Sequence, residues 1–309
     1  MPTSGRVRVT LLAGGLGGSR FARALTETLP PRDVTVIGNV GDDVEISGLH
    51  ISPDLDTILY TLAGLLDEDR GWGRADETWN ARTVAEELGA EAWFQLGDRD
   101  LGLHLARTDA LQHGEPLSAV TRRFARALGV ETELLPATNE RLRTWIATAA
   151  GEFSFQEWFV RRRHRDEVDA VRFEGAEDAL PAPGVIEALE SADLIAIAPS
   201  NPFVSIGPIL AVARIREALA CRRVPAVAVS PLIGGRTVRG PADRMLARLA
   251  GGTGPAQVTD CYKGLIDALV VDEVDAHEDA GIQTIVTKTL MSDAGARRRL
   301  AEAVLAVPV

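Results

Sequence analysis

The chain has 309 residues, 46% of them apolar and 25% charged, and carries a net charge of −11. A chain of this length buries roughly three quarters of its unfolded surface, enough for one large domain with an inserted subdomain. Its acidic balance excludes nonspecific binding of nucleic acid or of an anionic membrane, and leaves anion binding only to a site locally lined with N–H groups, arginines or metal.

The first predicted element is a buried strand over residues 6–13, too short and too polar at Arg8 and Thr10 for a signal-peptide core. Next comes the loop Ala13-Gly14-Gly15-Leu16-Gly17-Gly18-Ser19-Arg20, then a helix over about 19–29 that Pro30-Pro31 ends. Strand, glycines and helix in that order form a phosphate-binding geometry. First-turn N–H groups lack intrahelical acceptors, and the helix N-terminus carries partial positive charge. The dinucleotide fingerprint laid on Gly15 and Gly17 fails at Arg20, and Lys263 and Lys288, the only lysines, supply no phosphate-loop lysine. Gly15, Gly17, Gly18, Ser19 and Arg20 are the phosphate-contact candidates. The plainer alternative is a tight turn that needs glycine for packing.

A second strand over 34–38 delivers Asn39 and the pair Asp42-Asp43 at its carboxyl end. Asn39 is a further nucleotide-side candidate. Ser52-Pro53-Asp54-Leu55-Asp56-Thr57 then leads into a helix expected over 57–66, so four aspartates fall within fifteen positions. Hard cations such as Mg²⁺ take carboxylate and phosphate oxygens. A cation here would neutralise a diphosphate and the charge that develops as a phosphoryl group leaves. Asp43 and Asp56 are the candidate metal ligands and catalytic carboxylates. Gly-Asp-Asp is also turn chemistry, and Asp54 or Asp56 could simply cap a helix.

A helix over 77–88 ends at Gly89, and another is expected over 116–128. Short strands follow at 143–148, 152–160 and 168–173, read as an antiparallel subdomain inserted at about 110–180. Continuous apolar strands return at 194–198 and 224–229, each after an amphipathic helical stretch, with strands at 269–272 and 282–286 and a last helix at 294–305. The class is therefore α/β: a doubly wound, Rossmann-like, mostly parallel sheet with an inserted smaller α+β subdomain, all one domain over 1–309. Ligands belong at the strand carboxyl ends. That places Ser200 and Asn201, in the proline-bounded loop Ala198-Pro199-Ser200-Asn201-Pro202, on the nucleotide side, unless the loop is an ordinary N-capped connection. Pro199, Pro202 and Pro208 interrupt the longest apolar region, so no membrane span is expected. Cys221 and Cys261 make neither a disulfide framework nor a zinc motif, which fits a reducing cytoplasm.

These segments together resemble the 2-phospho-L-lactate transferase family of coenzyme F420 biosynthesis, including its actinobacterial phosphoenolpyruvate-transferring members. The resemblance also runs through Gly71-Trp72-Gly73, Asp76-Glu77-Thr78-Trp79, Leu96-Gly97-Asp98-Arg99-Asp100-Leu101, Phe155-Gln156-Glu157-Trp158-Phe159-Val160 and Ser230-Pro231-Leu232-Ile233. It implies that a guanosine diphospho-ester of lactate or enolpyruvate donates its phospho-acid to the terminal ribityl hydroxyl of the deazaflavin Fo. The products would be GMP and glutamate-free F420 or its dehydro form, with Mg²⁺ as cofactor. The family's Fo-contacting positions fall on Asp56 and near Gln95. Trp72 and Trp79 are candidate walls for the planar deazaflavin, although tryptophan more often fills core volume. Arg99 is the natural partner for the donor's carboxylate, or else one member of a structural ion-pair network with Asp98, Asp100 and His104. The expected partners are these small molecules and a second copy in a homodimer. Two rivals stand beside the transferase: a nonenzymatic nucleotide-sugar-binding regulator with a related core, and a nicotinamide oxidoreductase. The second expects an acidic residue closing the second strand, where this chain has Gly38-Asn39.

Overall fold

The computed structural model describes residues 6–307. Seven parallel strands form the central sheet, in spatial order Gln283–Val286, Ala268–Val271, Ala226–Val229, Leu194–Ile197, Val9–Ala13, Val34–Gly38 and Glu133–Pro136. Every residue of Val9–Ala13 is buried, as a strand covered on both faces requires. Side chains alternate between the two layers. Leu11, Ala13, Val36 and Ala196 pack into one core with the helices Gly15–Thr28, Pro53–Leu62 and Ala294–Leu305. Leu12, Ile37, Ile195 and Ile197 pack into the other, with Val185–Ser191, Ala213–Ala220 and Pro255–Cys261. The chain winds outward in opposite directions from Val9–Ala13 and Leu194–Ile197, so the topological switch point, where ligands bind in open sheets, lies between these two strands.

The insertion is an antiparallel sheet of three strands, Gly151–Ser154, Arg143–Thr148 and Ala170–Glu174. It is smaller than the expected 110–180. Helix Leu117–Ala127 buries Leu117 and Ala125 in the main core, and Glu133–Pro136 is an edge strand of the main sheet, so the excursion begins only after Pro136. The expected strand over 152–160 stops at Ser154. Beyond it Glu157–Arg161 is a helical turn, which stacks Phe155 on Phe159 at 5.2 Å and buries Trp158. Two helices start earlier than expected: the glycines of the first loop are themselves helical from Gly15, and Pro53, suited to a first helical position, starts the second.

Residues 67–97 make a second excursion. Its helix Asn80–Glu87 buries no side chain and leaves Val84 and Leu88 exposed. It is tied down by reciprocal capping. Asp98 accepts from the Asn80 and Ala81 N–H groups, both at 3.0 Å, while Glu77 accepts from those of Arg99 and Asp100, both at 2.8 Å. The Thr78 hydroxyl and those backbone donors hold the Asp98 carboxyl down at about 2. Its stabilising contribution is therefore complete above pH ~4 and fades only as pH falls towards 2. Asp98→Ala should raise amide exchange across 78–87 while leaving the main melting transition nearly in place, because that helix buries nothing. Unchanged exchange would contradict the capping role. No helix among the described residues is long and apolar enough to cross a membrane.

Candidate active site

The switch point is built by interlocking the glycine loop with the loop after Leu194–Ile197. The Ser200 hydroxyl donates to the Gly14 carbonyl at 2.7 Å, and a Cβ on Gly17 would sit 2.4 Å from the Pro199 carbonyl oxygen. A Cβ on Gly18 would lie 2.9 Å from the Ser200 hydroxyl oxygen. Glycine is needed here for close backbone approach, so the packing alternative holds for Gly17 and Gly18. Gly15, at φ +65°, makes the left-handed step into the helix, and its N–H goes to the Asp54 carboxylate.

The polar side chains expected to face a nucleotide all make bonds within the protein. Ser19 is buried and donates to the Leu16 carbonyl at 3.0 Å. Arg20 pairs with Glu68 at 3.3 Å. Asn39 donates to Asp54 at 2.9 Å and to the Val204 carbonyl at 3.2 Å, and accepts from the Gly41 N–H at 2.7 Å. Asn201 caps the turn Pro202–Ile206, accepting from the Phe203 N–H at 2.9 Å. What these loops still offer an anion is the first-turn N–H groups of Leu16 and Gly17, as helix geometry leaves them without intrahelical acceptors.

The four early aspartates are all buried. Burial, with Asp54 nearby, pushes the Asp42 carboxyl well above the usual range, and burial pushes Asp54 up to about 6 against the pull of Asn39 and the Gly15 N–H. Asp43 accepts from the Ser52 hydroxyl at 2.8 Å and pairs with His50 Nε2 at 3.0 Å through Oδ2, while its Oδ1 has no partner. Asp42 Oδ1 is also buried without a partner. Two orphaned carboxylate oxygens are the groups a hard cation would satisfy, so Asp43, with Asp42 beside it, fits Mg²⁺.

Asp56 is held differently from the expectation. Both its oxygens take N–H donors from the buried Arg107, Oδ2 at 3.0 Å from Nη1 and Oδ1 from Nη2, with His104 Nδ1 3.8 Å from Oδ2. It is an arginine-locked carboxylate with only its second lone pairs to offer, not a free metal ligand. Among the described residues no three His, Cys, Asp or Glu side chains gather as a ready metal cage.

Sequence reading missed Arg107, His50 and the insertion residues that complete the crevice. A cavity of about 290 Å³ lies between Asp42-Asp43 and the insertion, walled by Arg141, Arg143, Thr144 and Trp145. Residue spacing gives no sign of Arg107, which meets Asp56 across 51 positions from a helix, Asp98–Gln112, that the glycine at 102 conceals.

The expected Fo wall is on the capped excursion. The Arg70 guanidinium stands 5.1 Å from the centroid of each of the Trp72 and Trp79 rings, a cation–π contact with both indoles. Gln95 and Arg99 are exposed there, and neither lines the cavity.

Fold and site together define a Rossmann-like protein whose ligand crevice is floored by buried carboxylates. The chain belongs to the 2-phospho-L-lactate transferase CofD family, whose model matches residues 9–304. It is thus a transferase of coenzyme F420 biosynthesis. It is 46% identical to a phosphoenolpyruvate transferase of Streptomyces griseus, over 97% of this chain and 98% of that one. Similar proteins of the same name come from Streptomyces coelicolor, 45% identical over 97% of both chains, and Mycolicibacterium smegmatis, 38% identical over 93% and 94%. A crystal structure of a UPF0052-family protein from Bacillus halodurans superposes with a TM-score of 0.66 at 19% identity, covering 98% of this chain and all of that one. This last likeness shows the shared fold.

Proposed function

We propose that the protein transfers a phospho-acid, phosphoenolpyruvate or 2-phospho-L-lactate, from its guanosine diphospho-ester to the terminal ribityl hydroxyl of Fo. The hydroxyl oxygen bonds to the phosphorus nearest the acid, and the bond from that phosphorus to the diphosphate bridge oxygen breaks. GMP leaves with the bridge oxygen, and (dehydro)F420-0 remains. Near-full-length similarity to proteins named phosphoenolpyruvate transferase favours enolpyruvate as the acid.

The observation that carries the reading is the pair of buried carboxylate oxygens without well-formed hydrogen bonds on Asp42 and Asp43, in the loop after Val34–Gly38. Asp43, with Asp42 beside it, would hold Mg²⁺. When bound, that ion offsets the diphosphate's charge and steadies the departing phosphate. Asp56 orients the Fo hydroxyl and accepts its proton, since Arg107 fixes both its oxygens in place and leaves a lone pair on each. The N–H groups of Leu16 and Gly17 supply fixed dipoles for the nucleotide phosphates.

The test is incubation with Fo, Mg²⁺ and each synthetic guanosine diphospho-acid, with product masses measured. GMP together with a mass gain on Fo equal to the phospho-acid is expected, fastest with the enolpyruvate ester. Absence of any Fo adduct with every donor would remove the reading.

A further inference from the structure

Arg143 opens the central strand of the insertion. Its neighbour Thr144 donates its N–H to the Gly41 carbonyl at 2.7 Å, and Gln156 donates from its side chain to the Asp42 carbonyl at 3.2 Å. These bonds set the insertion against the Asp42-Asp43 loop with the cavity of about 290 Å³ between them. One wall is acidic. The other carries two arginines whose situations differ.

Arg141 is exposed and spent on Glu174 at 2.6 Å. The Arg143 side chain is only 13% exposed, yet its guanidinium gives one hydrogen bond to the Leu142 carbonyl, at 2.9 Å, and otherwise stands 3.9 Å from the exposed Glu45. Burial pulls its pKa down despite Asp43 nearby, as for a cation whose surroundings compensate it incompletely. The Thr144 hydroxyl, on a residue 1% exposed, makes no well-formed hydrogen bond and leans toward the Asp42 carboxyl, which it helps to hold down. The unspent N–H groups of Arg143 therefore line the same cavity as Asp43, whose Oδ1 has no partner.

At about 290 Å³ the cavity has room for a phosphorylated three-carbon acid. Such a group is anionic at both ends. Its phosphate end needs a cation on the carboxylate wall, and its carboxyl end needs the planar N–H fork of an arginine. We propose that Arg143, with the Thr144 hydroxyl beside it, grips the carboxylate of the three-carbon acid carried by the donor, and so selects acid-bearing guanosine diphospho-esters. The inference rests on the transfer reading above. It moves the role expected for Arg99 to a residue that lines the cavity.

Arg143→Met, Arg143→Lys and Thr144→Val test it. Each is assayed with the guanosine diphospho-enolpyruvate donor and with guanosine diphospho-ethanol, the ethyl ester that lacks the carboxyl group. Donor binding to the same proteins is measured by calorimetry. For the acid donor, Arg143→Met should lower kcat/KM and affinity by ~10–100-fold, the scale of one lost charge-assisted hydrogen-bond pair. The KM for Fo should not move, Arg143→Lys should recover part of the loss, and Thr144→Val should lose less. The ethyl ester should be a poor ligand of the wild type, and Arg143→Met should weaken it no further. Equal losses on both donors would assign Arg143 to the diphosphate and overturn the proposal, as would wild-type behaviour of Arg143→Met on both. If the wild type transfers nothing to Fo, the reaction reading fails, and the calorimetric comparison of the two donors still decides the role of Arg143.

Discussion

Arg107→Met is expected to cost about 3–5 kcal/mol of stability, the range for removing one partner of a buried ion pair. Arg107 is 1% exposed and bonds both oxygens of Asp56. Burial alone would pull its pKa down, but the Asp56 carboxylate more than offsets that, with Asp43 adding to it, and the net direction is upward. The pair is also the end of a longer network. Arg107 reaches His104 Nδ1 at 3.3 Å, His104 Nε2 lies 3.4 Å from Asp100, and Asp100 takes the Tyr60 hydroxyl at 2.7 Å. Methionine keeps most of the arginine's volume and removes its charge, so the loss measures the carboxylates left uncompensated. In urea denaturation the midpoint should fall, and on heating the melting temperature should drop by roughly 10 °C. The double variant Arg107→Met, Asp56→Asn should recover most of the loss, because neutralising the orphaned acid removes the penalty. A single-variant cost below about 1 kcal/mol, or no recovery in the double variant, would contradict this account.

The fold and the carboxylate floor of the site were legible because they are written locally. Continuous apolar strands such as Val9–Ala13 and Leu194–Ile197 can only be buried on both faces, and glycine-rich turns at their carboxyl ends mark the switch point. What local pattern could not show is which polar group spends itself on which neighbour. Asn39, Ser200 and Asn201 have the chemistry of ligand contacts, but each makes its bonds within the protein, and those bonds are set by loops 160 or more positions apart for Asn39 and Ser200. Asp54 and Asp56 sit two apart on one helix yet part ways, one to the Gly15 N–H and one to Arg107. Strand Glu133–Pro136 was missed because its four residues, with Glu133 exposed and Pro136 at the end, carry no alternation to read. Arg143 was passed over because nothing in a strand of the insertion signals that it faces an acidic loop a hundred residues earlier.

Asp43→Asn is expected to lower turnover by about 10²-fold or more, the scale of one lost charge-stabilising contact. Asparagine keeps the shape and can still accept from the Ser52 hydroxyl, now 2.8 Å from Oδ2, so the loop should hold its place. It cannot supply the anionic oxygen that Oδ1 now presents without a partner. The separable consequence is in stability. Wild-type protein with Mg²⁺ at 100 times its dissociation constant should gain ~2.7 kcal/mol over metal-free protein, by mass action alone. That gain should largely vanish in Asp43→Asn. Without metal the order reverses. Asp42 and Asp54 are both pushed upward, first by burial and then by neighbouring carboxylates that include Asp43, so removing one charge relieves repulsion. Metal-free Asp43→Asn should therefore melt above metal-free wild type, stability rising where function falls. An Asp43→Asn protein that keeps wild-type turnover and the full Mg²⁺ gain would show that the cation binds elsewhere, and the carboxylate floor would then be a structural cluster.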